Sequence, residues 1–226
     1  MIKSLVALAA VATMAGGCGV VHVIDRISDG GPRIEGSGKA ASEVRQVSDF
    51  KGIVVEGATD VVAKVGPKVS VKVEGDDNIV PKIITKVEDG KLVITCEESY
   101  SSRTPLKVTV TAPSLEEISV KGSANAVIDG VKCSSFSASI AGSGDVTVRG
   151  TADSVDASIA GSGDMDLSGL KAKNADVSIS GSGDVSVFAT ESLEGAIAGS
   201  GDIAYSGNPG KVERSIVGSG EIHAAG

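Results

Sequence analysis

One four-residue turn recurs through the second half of this chain at an almost constant interval. Residues 139–148 read SIAGSGDVTV, residues 158–167 SIAGSGDMDL and residues 178–187 SISGSGDVSV. Aligned on its first glycine, the turn is Gly-Ser-Ala-Asn at 122, Gly-Ser-Gly-Asp at 142, 161, 181 and 199, and Gly-Ser-Gly-Glu at 218, so the successive intervals are 20, 19, 20, 18 and 19 residues. A fixed period near 20 residues, with one supersecondary unit per period, is the signature of a solenoid. In each period two short alternating strands flank the turn, such as DASIA and DMDLS, and stretches such as GTADS and GLKAKNA supply a second corner. Equivalent strands then stack in parallel about 4.8 Å apart. Stacking predicts ladders of like residues: Ile140, Ile159, Ile179, Ile197 and Ile216 before the turn, and Val146, Met165, Val185, Ile203 and Ile222 after it. Composition agrees, because aromatic residues are only 2% of the chain while glycine occurs 30 times. A core of repeated layers fills its volume with small aliphatic side chains piled on copies of themselves.

The predicted fold is therefore all-β: a parallel β-helix or solenoid of about 18–20 residues per coil over residues 113–226, preceded by a smaller β-rich N-terminal lobe over residues 47–112. Within that lobe GIVVEGATDVVAKV and KVSVKVEG alternate, and GATD at 57 looks like a related turn. PKIITKVEDGKLVITCEE predicts a hairpin about Asp89-Gly90. DDNIVPK suggests one helical turn, and LKVTVTA a last strand.

The N-terminus reads as a targeting signal. Lys3 is followed by an apolar run, Leu5 to Met14, which is too short to span a bilayer and fits a secretory leader over residues 1–17. Ala15-Gly16-Gly17-Cys18 resembles a bacterial lipobox, so Cys18 is expected to be lipidated and to place the chain in the envelope, at the outer rather than the inner membrane. An ordinary signal peptide with a nearby structural cysteine is the alternative. Residues 18–46 are rich in glycine, serine and charge and read as a flexible tether; their EGSGK resembles a repeat turn among neighbours too polar for a core strand. Cys96 shares a strand face with Leu92 and Ile94, and an oxidising envelope would permit a bridge to Cys133.

The turn admits two readings. As a corner, its glycines adopt backbone angles closed to other residues, and its aspartate accepts local amide hydrogen bonds. As a site, Asp145, Asp164, Asp184, Asp202 and Glu221 form a column of like charges, which a bound Ca²⁺ would relieve. The nine-residue period of calcium-binding repeat toxins is not matched. No other cofactor is expected.

Whole function classes are excluded on composition. The net charge is −8 and no basic stretch exists, which argues against nucleic acid. The histidines are His22 and His223, in the tether and at the tail, which leaves no Ser-His-Asp or Cys-His arrangement. Carboxylate pairs such as Asp164 and Asp166 read as solvated charge, so no enzyme is expected. Few aromatics are free for a sugar pocket, but a long polar β face could hold an extended partner at many points.

The segments FKGIVVEGATDVVAKVG, VKVEGDDNIVPKI, VEDGKLVI, LKVTVTAPSLEEISVKGSA, the SGSGDV turns and YSGNPGKVERSIVGSGEI together resemble the DUF2807 family, the auto-transporter adhesin head or head GIN domain. The resemblance covers residues 44–223. It implies a β-helical, exported bacterial envelope protein, often a lipoprotein, and brings no catalytic residues. The expected role is an adhesin-like or surface binding module whose partner is a protein or polysaccharide. The alternative is a periplasmic scaffold lipoprotein holding another envelope protein. The last coil, VGSGEIHAAG, shows no obvious cap, which suggests end-to-end self-association or a docked partner.

Overall fold

Short runs of alternating β-branched residues form short strands, and the layer spacing decides how they stack. The computed structural model describes residues 33–225. The expected leader, the lipidation candidate Cys18, and His22 lie outside the described residues. Among the described residues one turn of 3-10 helix, Val80–Lys82, interrupts an otherwise all-β chain at the DDNIVPK segment.

The repeat region is a parallel solenoid. Strand β10 (Glu117–Gly122) enters the first repeat turn. It is followed by β11 (Ala126–Gly142), β12 (Val146–Gly161), β13 (Met165–Gly181) and β14 (Val185–Gly199). The last coil is formed by β15 (Ile203–Ser206), β16 (Lys211–Gly218) and β17 (Ile222–Ala224). Each long strand carries a second bend, where the register slips, between Ile128 and Val131 in β11 and between Thr147 and Gly150 in β12. Gly150 shows why: its φ is +147°, and a Cβ there would lie 2.1 Å from the Val131 carbonyl oxygen.

The expected ladders form in register. Ile140 pairs with Ile159, Ile159 with Ile179, Ile179 with Ile197, and Ile197 with Ile216. Val146, Met165, Val185, Ile203 and Ile222 stack likewise on the far side of the turn. These rows are buried up to the last coil, where Ile216 is 42% exposed. Burial of such a side chain contributes about 1.5–3 kcal/mol each, so the rows are the main source of cohesion.

The β-rich N-terminal lobe shares this core. Strands β3 (Gly52–Gly57) and β4 (Asp60–Val65) flank the GATD turn and stack beneath β10 and β11, with Gly57 opposite Gly122 and Val61 opposite Ala126. Beneath them lie β7 (Lys91–Thr95), on β3, and β9 (Lys107–Ala112), on β4. The chain thus lays the second layer first, drops below it, and crosses back above. Antiparallel strands finish this end. On one wall β6 (Ile84–Glu88) pairs with β7 through the expected hairpin, whose Asp89 and Gly90 take φ of 48° and 75°. On the other, β5 (Ser70–Asp76) pairs with β9, and β2 (Ala40–Arg45) pairs with β5.

That last strand corrects the tether expectation. Residues 34–35 form β1 (Ile34–Glu35), paired with β8 (Tyr100–Ser101), and residues 40–45 form β2. Hydrophobic alternation misses β2 because its half-buried face is Ala41, Glu43 and Arg45. The Arg45 guanidinium ion-pairs with Glu43 at 2.8 Å through Nη1 and donates to the Val80 carbonyl at 2.8 Å through Nη2, while its buried Nε has no partner.

Asp76 fastens this segment. It is fully buried, and its carboxylate accepts from the amides of Gly38, Arg103 and Thr104 and from the Ser102 hydroxyl. Burial alone would raise its pKa, but these donors outweigh it and hold the group well below the usual carboxylate range. Cys96 and Cys133 are both half-buried free thiols, so the bridge between them is not formed.

Asp76→Asn presents an amide nitrogen to groups that are themselves donors, and we expect a marked fall in Tm. Because the folded pKa lies below the ordinary value of 3.8, the difference between wild type and variant should be full above that pH. It should shrink only as the pH falls below it. Thermal melts of both proteins across an acid series check this, and equal Tm near neutrality would refute it.

Candidate functional site

The geometry of the recurring turn follows from backbone stacked on backbone. The first glycine of each turn has a φ between +134° and +145° from Gly122 to Gly218. A Cβ on Gly161 would lie 2.1 Å from the Gly142 carbonyl oxygen, and one on Gly163 would lie 2.0 Å from that of Gly144. The same collision recurs at Gly181 and Gly183 and in the coils beyond. Both glycines are therefore fixed by the coil beneath as well as by the turn. The third position tolerates a side chain only in the lowest turns, where Thr59 and Ala124 occupy it, both buried.

Between the glycines, each serine donates its amide to the first-glycine carbonyl one coil below: Ser143 to Gly122, Ser162 to Gly142, Ser182 to Gly161, Ser200 to Gly181 and Ser219 to Gly199. The fourth residue adds a side-chain rung. Asn125 N donates to Asp60 Oδ1 at 2.9 Å, Asp145 N to Asn125 Oδ1 at 3.2 Å, and Asp164 N to Asp145 Oδ1 at 3.0 Å. The series continues with Asp184 N to Asp164 Oδ1 at 2.9 Å, Asp202 N to Asp184 Oδ1 at 2.8 Å, and Glu221 N to Asp202 Oδ1 at 2.7 Å.

The structure thus brings the predicted acidic residues into one column, and gives each aspartate a task in holding the next coil. Asn125 fits the column because an amide oxygen accepts as a carboxylate does. The acceptors Asp60 and Asn125 extend the column below the residues singled out in the sequence; the signal for them was the shared fourth position of GATD and GSAN. Among the described residues no group of three or more His, Cys, Asp or Glu is placed to hold a metal ion. Asp166 is occupied locally, accepting from the amide and hydroxyl of Ser168.

Beside the corner the outer face of the sheet is flat and carries small side chains. One outward column runs Ser119, Ser139, Ser158, Ser178, Ala196, Ser215, and the next Lys121, Ala141, Ala160, Ser180, Ala198, Val217. A third, Glu117, Ser137, Asp156, Asp176, Glu194, Glu213, borders them with carboxylates. At its lower end an open groove of about 600 Å³ is lined by Phe50, Lys51, Lys91, Glu116, Glu117 and Ser137, among others. Two of its carboxylates are paired, Glu116 with Lys51 at 2.8 Å and Glu117 with Lys91 at 2.6 Å, while Asp49 and Asp89 also line it. The hydrogen bond from Lys51 is the main reason that the Glu116 pKa is lowered. Burial, with Glu116 and Asp153 nearby, raises that of Cys133 and keeps it a thiol. His223 is exposed on β17.

Comparison with known proteins agrees with this architecture. The family described as "Putative auto-transporter adhesin, head GIN domain" matches residues 49–209. A crystal structure of a "putative adhesin" from Bacteroides fragilis is 27% identical, with a TM-score of 0.71 over 85% of this chain and 100% of that one. A "putative lipid binding protein" from Parabacteroides distasonis is 26% identical, with a TM-score of 0.54 over 86% of this chain and all of that one. A "putative adhesin" from the same species shares the fold at 23% identity, with a TM-score of 0.57 over 86% of this chain and all of that one. No curated protein matches the chain.

A structural corner and a cation site respond differently to substitution. Gly161→Ala should lower Tm sharply, whereas Ser162→Ala should leave it nearly unchanged. Asp164→Asn keeps the acceptor for the Asp184 amide and should be close to neutral, while Asp164→Ala should cost about 1 kcal/mol. Chelator should leave Tm where it is. Thermal melts test all of these together, and a Tm that falls with EDTA would point to a cation on the column instead.

Proposed function

Because the chain belongs to the head GIN domain family, we propose that it is a non-enzymatic, adhesin-like envelope module that holds an extended partner along its flat outer face. The adhesin description of the family is that of a surface or envelope protein. Among the described residues no helix is long and apolar enough to cross a membrane. The lipobox-like Ala15-Gly16-Gly17-Cys18 supports attachment through a lipid on Cys18, in the outer membrane.

The observation that carries this reading is the repetition of small side chains, mainly serine in one column and alanine in the next, on successive coils of one outward face. A partner with its own repeating groups, such as a polysaccharide or an extended protein segment, meets equivalent contacts at each layer. Binding of this kind gains from the number of contacts rather than from any single pocket. Binding rather than catalysis is favoured by chemistry: Glu116 and Glu117 in the groove are neutralised by lysines, and the column aspartates are engaged by amides.

Protease treatment of intact cells, with lysed cells as control, tests the placement. We expect the chain to be removed from whole cells, and Cys18→Ser to release it into the medium or periplasm. Protection until lysis would contradict the adhesin reading and favour a periplasmic scaffold for another envelope protein.

A further inference from the structure

The top of the stack differs from the bottom. At the bottom, antiparallel β6, β5 and β2 cover the first layers. At the top, β16 pairs on one side with β14, and among the described residues its other edge has no strand partner. Its Ile216 and Val217 are 42% and 73% exposed. An exposed edge with apolar side chains is a template for another chain.

One residue breaks the pattern there. The inward row that begins with Leu92, Ile53 and Ile118 continues through Ala138, Ala157, Val177 and Gly195, and then reaches Arg214. Beneath it, Gly195 leaves space occupied by the Cδ1 methyls of Ile222 and Ile203. The apolar core is thus closed beneath the arginine by isoleucines of the last two coils. Arg214 does not dangle: its Nη2 donates to the Tyr205 hydroxyl at 2.6 Å, and its guanidinium lies 5.6 Å from the centre of that ring. Tyr205 stands in the inward row above Leu167 and Val187. The two side chains therefore meet over the end of the core.

We infer that Arg214, held by Tyr205, keeps this edge from pairing with a second copy of the chain. The register identifies the occupant. Antiparallel pairing of β16 with its own copy buries most apolar surface when Val212 faces Ile216. The twofold axis of that arrangement passes through position 214, because 212 and 216 are equidistant from it. The best apolar match between two copies thus sets Arg214 against Arg214. An inward charge on an edge strand is a known way to block such pairing. The last coil shows no cap in its sequence alone, which suggests end-to-end association or a docked partner; with Arg214 on Tyr205 as the cap, the chain instead stays single.

The test uses the full chain carrying Cys18→Ser, so that no lipid enters the readout, and measures mass by sedimentation over a concentration series. Wild type should remain a monomer. Arg214→Val, which restores the side chain found at Val177, should double in mass as concentration rises. Adding Ile216→Lys should return it to a monomer. If the valine variant loses its fold, Arg214→Gln, which keeps a donor for Tyr205 without the charge, is scored in the same way. A wild type that dimerises through this edge would overturn the inference. So would a folded, uncharged variant that stays monomeric.

Discussion

Each coil of this protein is fixed to the one beneath it by hydrogen bonds that continue around the corner instead of stopping at the strand ends. A sharp turn normally leaves amides and carbonyls for water to satisfy. Here the serine amide finds a glycine carbonyl one layer below, and the next aspartate amide finds a side-chain oxygen of the equivalent residue below. That arrangement requires the backbones of successive turns to touch. Contact leaves no room for a Cβ at either glycine, which is why the Gly-x-Gly frame persists while flanking residues vary. The acidic column follows from the same demand. An aspartate reaches the amide above it, and that bond offsets the like-charge repulsion of neighbouring exposed carboxylates, which in water is under about 1 kcal/mol per pair.

With the corners fixed, the core needs little variety. Isoleucine stacks on isoleucine, and valine or methionine on their counterparts, in rows that differ only where a coil differs in length. Aromatic residues are confined to places where the repeat changes. Phe50 and Phe136 fill the junction near the lower groove, and Phe188 is half-buried near the last coil. Tyr205 serves the top edge. Each end has its own closure: antiparallel strands and buried Asp76 at the bottom, a charged residue on an aromatic ring at the top.

Much of this was legible because a repeat reports itself. The period, both ladders, the kinship of GATD with the later turns and the Asp89-Gly90 hairpin were all readable from spacing and alternation. What could not be read was of another kind. Strand β2 has no apolar alternation, since its half-buried face carries Glu43 and Arg45, which pair with each other, and Arg45 also reaches a carbonyl. Asp76 gains its role from loops distant in sequence. The layer order, with β7 and β9 beneath β3 and β4, depends on long-range pairing that local pattern does not encode. The place of Arg214 at the end of an inward row follows from long-range register, which local pattern does not encode. At the turn itself the residues left corner and cation site both open, and only the register, by placing Oδ1 against an amide, shows what the aspartates hold.

The outer face that the corners generate is regular, polar and without deep relief, a surface suited to partners that are themselves extended. That surface exists only if the coils are fastened as described. Amide hydrogen exchange by NMR tests this most directly. The amides of Asp164, Asp184 and Asp202 belong to turn residues at the surface, yet the account predicts that they exchange as slowly as neighbouring strand amides. Asp164→Ala should release the Asp184 amide selectively. Exchange of these three amides at rates typical of exposed turns in the wild-type protein would contradict the account.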